Sequence, residues 1–269
     1  MRNEAPKAAR SLATAISAVA LALIAVSAIS SDTRAGEVEA KHLLKAMSDY
    51  LAAQKSISFG FDTDFEVVTK DHHKLLLASS GTIDLIRPDK VRATRTGGFA
   101  NVEMIFDGKT LTLLGKNANL YTQVDVPGTV DNLIDELREK LHRPIPGADL
   151  LSSNVYDELM SEVVEAKDLG SGVIGGTECD HLAFRSKDVD WQIWIAQGAR
   201  PYPCRYVITS KTVDQAPQYS IQIRDWKTGT EVAAGNFGFT NATNARKIDA
   251  KELTELSELP KHFVIGGVQ

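Results

Sequence analysis

The chain of 269 residues is 43% hydrophobic and 24% charged, with a formal net charge of −5, the make-up of an ordinary globular protein with material for a sizeable core. That length allows one large domain or two small ones. Mild acidity with no basic stripe excludes nucleic acid as a partner, because such binding is driven by neutralising phosphates.

At the N-terminus Arg2, Lys7 and Arg10 precede an uncharged run from Ser11 to Ser31 dominated by alanine, leucine and isoleucine. A positive segment followed by an apolar run is the pattern of a signal peptide. Small residues suited to cleavage occur at Val26-Ser27-Ala28 and at Thr33-Arg34-Ala35, and both sites stay open. Residues 1–35 are therefore expected to be removed on export to the periplasm, leaving residues 36–269 as a single domain. An uncleaved anchor is the competing reading, since the run is about as long as a spanning helix needs. Its alanine-rich composition and the small residues at its end favour cleavage. No cysteine follows it, so a lipid-anchored form is not supported.

Next, Val38–Ala53 places Leu43, Leu44, Met47, Tyr50 and Leu51 on one helical face, the mark of an amphipathic helix. Residues 56–68 then alternate: Phe59, Phe61, Thr63 and Phe65 share one face, Asp62, Asp64 and Glu66 the other. Further strands are expected at Leu75–Ile86, Val91–Thr96, Val102–Phe106, Lys109–Leu114 and Leu120–Val124. Turn signals separate them at Arg87-Pro88-Asp89-Lys90, Gly97-Gly98, Asp107-Gly108 and residues 116–119.

At Pro127-Gly128 the period changes. Val130, Leu133, Ile134, Leu137 and Leu141 recur at helical spacing until Pro144 and Pro146 stop them. Ala148–Leu151 and Val155–Met160 predict one or two further short helices, with Ser153 or Asn154 as N-cap. Strands resume at Val163–Leu169, run through the meander of residues 177–211, and continue as Tyr219–Trp226 and around Phe237 and Phe239. In the meander Trp191, Ile193 and Ile195 alternate with Gln192, Trp194 and Ala196. The fold class is α+β: about eleven strands, with a helical insertion at 127–160 packed on one side of an antiparallel sheet.

Both cysteines, Cys179 and Cys204, fall at the outer ends of this meander. An exported chain enters a compartment where disulfides persist. On neighbouring strands the two would form a bridge that stabilises by about 3 to 4 kcal/mol in the chain-entropy model. Two buried free thiols are the alternative. A metal site is not expected, because no CxxC or matching histidine pair accompanies them.

No catalytic constellation stands out. Adjacent His72 and His73 point apart, His181 sits in a strand with no nucleophile placed beside it, and Asp62, Asp64 and Glu66 lie along one strand as a solvated face. Ser79-Ser80-Gly81 lacks the nucleophile elbow, and Gly170–Gly176 lacks the phosphate-loop lysine. Neither enzyme activity nor a cofactor is expected.

Several pieces, in order, resemble the LolA/LolB-like lipoprotein-carrier superfamily, and more closely its exported, domain-of-unknown-function branch. They are Gly81-Thr82-Ile83-Asp84-Leu85-Ile86-Arg87-Pro88 with Val91-Arg92, Asp107-Gly108-Lys109-Thr110-Leu111, the central meander, and Phe237-Gly238-Phe239 as a closing strand. The resemblance spans residues 36–250 in pattern. It implies an open, strongly curved half-barrel whose concave mouth is covered by helices, with an apolar cavity that takes an acyl chain. The arginine of the Arg-Pro pair, here Arg87, would latch the lid. Leu133, Leu137, Leu141, Leu150, Leu151 and Tyr156 would form the lid face, although residues at such spacing also serve as plain core. Two departures stand out: Thr240-Asn241-Ala242 replaces the carriers' proline pair, and the insertion at 127–160 is longer than a carrier's lid. The expected partner is a lipid, acyl chain or other apolar small molecule bound by a monomer. The rival reading is an interaction module with a self-filled cavity and an envelope protein partner.

Overall fold

The computed structural model describes residues 36–98, 101–140, 145–233 and 235–252. The expected signal peptide, residues 1–35, and Leu141 lie outside the described residues. Helix α1 (36–53) opens the described chain. It buries Ala40, Leu44, Met47 and Leu51 completely, with Leu43 and Tyr50 partly covered beside them. Twelve strands follow: β1 (Ser56–Val68), β2 (Lys74–Ile86), β3 (Lys90–Gly97), β4 (Asn101–Phe106), β5 (Thr110–Gly115), β6 (Leu120–Asp125), β7 (Glu165–Ile174), β8 (Thr177–Arg185), β9 (Val189–Ala196), β10 (Pro203–Ser210), β11 (Gln218–Thr228) and β12 (Arg246–Lys247).

All twelve form one open sheet in the order β12-β6-β5-β4-β3-β2-β1-β11-β10-β9-β8-β7. From β1 in the middle the chain meanders outward to β6. The insertion then carries it to the far edge at β7, and a second meander returns to β11 beside β1. The β1–β11 pairing joins the halves, with Phe61 opposite Ile223 and Asp64 opposite Ser220. One pairing departs from the expected antiparallel pattern: β12 runs parallel to β6, Arg246 opposite Leu120. It is a two-residue strand that no alternation could announce.

Only one face of the sheet carries the helices, and alternation decides which side chains it receives. Ile57, Phe59 and Phe61 from β1, Leu182 and Phe184 from β8, Trp191, Ile193 and Ile195 from β9, and Tyr206 from β10 join α1 and the insertion in a continuous core. Rings interlock within it: Phe184 stacks on Trp191 at 3.9 Å between centroids, and Trp191 meets Tyr206 edge-on at 5.7 Å.

The insertion contains α2 (Val130–Asp135), a π-helical turn (Glu136–Lys140), a 3-10 turn (Ala148–Leu151) and α3 (Val155–Met160). The single helix expected from Val130 onward is thus a six-residue α-helix that widens into a π turn. Spacing could not separate the two, because Val130, Leu133, Ile134 and Leu137 face inward in either. Thr129 caps α2 by accepting from the Asn132 N–H. Asn154 occupies the N-cap of α3 without a side-chain bond; its N–H donates to Ser152 Oγ instead.

The C-terminal tail also departs from expectation. Residues 237–239 are not a strand. Phe237 is buried, Phe239 packs on Tyr121 at 4.9 Å, and the Gly238 N–H turns back to Asn236 Oδ1. The tail runs along β6, where the Ile248 N–H reaches Tyr121 O and Asn119 bonds Thr243 through both side-chain and backbone oxygens.

Candidate functional site

The insertion meets the sheet in two ways. Near the Arg87–Pro88 turn, whose peptide is cis, it is tied down. The Val130 N–H donates to Pro88 O at 2.8 Å, and Arg87 Nη1 and Nη2 donate to the carbonyls of Leu151 and Ser152, both at 2.9 Å. Burial lowers the Arg87 pKa, and Asp131 opposes that. Arg87 Nε is buried with no hydrogen-bond partner among the described residues. Leu133, Leu150 and Leu151 beneath this tie are buried in the continuous core, and Tyr156 is partly buried against it with the Lys45 ammonium 5.9 Å from its ring centre.

Further along, the insertion stands off the sheet. A cavity of about 540 Å³ opens between residues 134–138 and 145–149 on one side and the ends of β1, β9, β10 and β11 on the other, within the size range of ligand pockets. Phe65, Val67, Ile208 and Tyr219 supply the sheet wall, and Ile134, Leu137 and Ala148 the facing wall. Val67, Ile134 and Leu137 are buried while Ile145 stands exposed at the rim. Gly147, at φ +81°, gives the backbone its left-handed turn into the 3-10 segment.

Few polar groups reach this wall. Glu66 accepts the Gln218 N–H at 2.8 Å and pairs with Lys74 at 3.1 Å. Arg138 is held by Asp149 at 2.9 Å and by Glu158 at 3.7 Å. Burial pushes the Asp149 carboxyl up, against the pull of Arg138. Burial also pushes up the Tyr206 hydroxyl, with Asp149 adding to the effect.

The expected lid residues are therefore divided. Leu137 lines the cavity; Leu133, Leu150, Leu151 and Tyr156 pack away from it; Arg87 grips the insertion from the tied side. Spacing in the sequence did not mark the wall residues Asp149 and Glu66. The clue lay in β1, where Phe65 and Val67 continue the inner face past the point that the helices fill. Glu66 alternates with Phe65 and Val67 and so stays in the outward row expected for Asp62, Asp64 and Glu66, partly covered there by its bonds to Lys74 and the Gln218 N–H.

Cys179 and Cys204 are buried free thiols with their Sγ atoms 2.6 Å apart. They lie on β8 and β10, the two strands that flank β9, and not on neighbouring strands. A bulge between Pro203 and Arg205 allows the approach, while Cys179 lies opposite Ala196 at the end of β9. Burial pushes both thiols up. The histidines have local partners: His72 Nδ1 lies 3.0 Å from Asp214, and His181 stacks on Trp194 at 4.0 Å and bonds Gln192.

A family model described as predicted periplasmic protein (DUF2092) matches residues 40–251. Among solved structures the chain is similar to the lipoprotein LppX of Mycobacterium tuberculosis, with 12% identity, 75% of this chain and 100% of that one covered, and a TM-score of 0.45. LprF from Mycobacterium bovis gives 13%, 74%, 96% and 0.43. A LolA superfamily protein from Nitrosomonas europaea gives 12%, 70%, 92% and 0.32. With TM-scores below 0.5, these likenesses carry no conclusion about this chain. No curated protein matches the chain.

Proposed function

The chain belongs to the family of predicted periplasmic proteins designated DUF2092, and from that premise we propose that it is a non-catalytic periplasmic protein that shelters an acyl chain or other apolar ligand between its curved sheet and its helical insertion. One observation carries the reading: the cavity of about 540 Å³ on the inner face of the sheet, walled largely by apolar side chains from four strands and the insertion. Water held there would find few polar partners, so an apolar guest is favoured. Arg87 acts as the latch that sets how far the insertion moves, since its two charge-assisted bonds end on backbone carbonyls of the insertion itself. Within the same proposal residues 1–35 are a cleaved signal peptide, residues 36–269 form one domain acting as a monomer, and Cys179 and Cys204 are bridged in the periplasm.

A second reading draws on the filled core beneath the tied part of the insertion, where Leu133, Leu150 and Leu151 are buried. On it the protein is an interaction module that binds an envelope partner and no lipid. Mass spectrometry of an organic extract of the protein, purified without detergent from its native host, separates the two. A stoichiometric lipid is the expected result. An empty extract together with a co-purifying protein would overturn the sheltering role.

A further inference from the structure

A second, smaller core lies on the other side of the sheet. In β8 and β9 Leu182 and Ile193 join the core under the helices, so by alternation Cys179, His181, Trp194 and Ala196 point away from it. There Cys179, Ala196 and Cys204 are buried together, with Ile174, Trp194 and Tyr202 packed against them. Each of these covering residues comes from a different place: Ile174 ends β7, Trp194 lies on β9, and Tyr202 precedes β10. Trp194 is itself held down, stacked on His181 at 4.0 Å and with the Arg205 guanidinium 5.9 Å from its ring centre. Cys179 is 0% exposed and Cys204 2%.

Oxidation of such a pair makes a geometric demand. The thiolate of one cysteine attacks a sulfur of the oxidant's disulfide, which joins the two molecules by a mixed disulfide and releases one oxidant thiol. The thiolate of the other cysteine then attacks the mixed disulfide, which closes Cys179 to Cys204 and releases the second oxidant thiol; the two protons lost by the cysteines end on the oxidant's sulfurs. The first step needs a sulfur that a second molecule can touch and that carries negative charge. Neither sulfur is exposed, and burial pushes both thiols up, the setting of an inert structural cysteine.

We propose that the redox state of Cys179 and Cys204 is decided while the chain folds and is kept thereafter: a disulfide-bearing oxidant must reach the pair before Ile174, Trp194 and Tyr202 close over it, and a chain that folds first stays a dithiol. That timing rests on the bridge within the proposed function and goes beyond it. Strands β7 to β10 are consecutive in the chain and neighbours in the sheet, so this part closes through local contacts and the interval open to the oxidant is short.

The test starts from the full mature chain, folded with the pair reduced and then freed of reductant. Oxidised glutathione is added at neutral pH to the folded protein and to the same protein in urea. Samples taken over time are alkylated and weighed, since a dithiol gains two alkyl groups and a bridge gains none. The folded protein is expected to form the bridge more slowly by about a hundredfold or more, as a reaction that waits on local opening. The bridged protein, once folded, should resist dithiothreitol to a similar degree. Folded and unfolded chains oxidised at similar rates would overturn the proposal and leave the bridge itself untouched. Slow oxidation of the folded chain, with free thiols in protein purified from its native host, would remove the bridge from the proposed function and leave the protection standing.

Discussion

At the scale of single residues, three side chains make claims that can be measured. Arg87→Leu leaves the carbonyls of Leu151 and Ser152 without their donor and should cost about 2–3 kcal/mol, while speeding uptake of an apolar probe. Arg87→Lys keeps the charge but loses the fork, so it should fall between. Uptake unchanged in both would sink the latch. Glu103 on β4 is buried beside Arg92 and Lys116, the latter at 3.0 Å. Burial pushes its carboxyl up, but the hydrogen bonds and charges of Lys116 and Arg92 outweigh this and hold it below the ordinary 4.5. A depressed carboxylate stabilises the fold above its unfolded pKa, and that stability is lost as pH falls through the folded value. Glu103→Gln should therefore cost about 1–3 kcal/mol near neutral pH, and the gap should close in acid, read from urea midpoints at several pH values. For the proposed bridge, the thiols of Cys179 and Cys204 give two protons and two electrons to a periplasmic thiol–disulfide oxidant. The unreduced protein should then weigh less than the reduced one by two hydrogens, and equal masses would remove the bridge. Arg87 was singled out before the fold only because the Arg87-Pro88 pair that follows β2 resembles the carriers' Arg-Pro pair. Asp149 was not, since only the fold brings it against Arg138 and under Tyr206.

At the scale of elements, Gly81 shows how tightly β1, β2 and β3 are layered. A Cβ there would overlap the Thr94 carbonyl oxygen and the Phe61 ring. Gly81→Ala is expected to cost about 3 kcal/mol, the upper end of overpacking, as a lower urea midpoint with an unchanged slope. A smaller residue at Phe61 should not rescue it, because the Thr94 oxygen belongs to the backbone. The hairpins were legible because two signals coincide in them. Asp107-Gly108 is the clearest: Gly108 takes φ +90°, and Asp107 Oδ1 accepts the N–H groups of Lys109 and Thr110. Amphipathic α1 was legible for the same kind of reason. The π turn was not, because both helix types present Leu137 inward. The 237–239 segment misled, since Phe-Gly-Phe alternates like a strand but finds no strand to pair with, and Phe237 and Phe239 pack as separate anchors.

At the scale of the molecule, the two edges of the sheet are treated differently. The β6 edge is closed by β12 and the tail. Along β7, Leu169 and Val173 are exposed, and a bulge between Asp168 and Ser171, with Gly170 at φ +87°, interrupts the ladder. Such a bulge discourages edge-to-edge association. The mid-sheet seam has a consequence in time as well as space. Asp62 and Arg224 meet across it although 162 positions separate them, so β1 leaves the export channel long before its second neighbour exists. The β1–β6 meander can close locally as it emerges, whereas the seam must wait for β11, and such distant pairing is slow. Pulse-labelled amide exchange should find β2–β5 protected before β11. Through that interval one flank of β1, with Phe59 and Phe61 beside it, stands open in the periplasm, and the time spent there falls to whatever escorts newly exported chains.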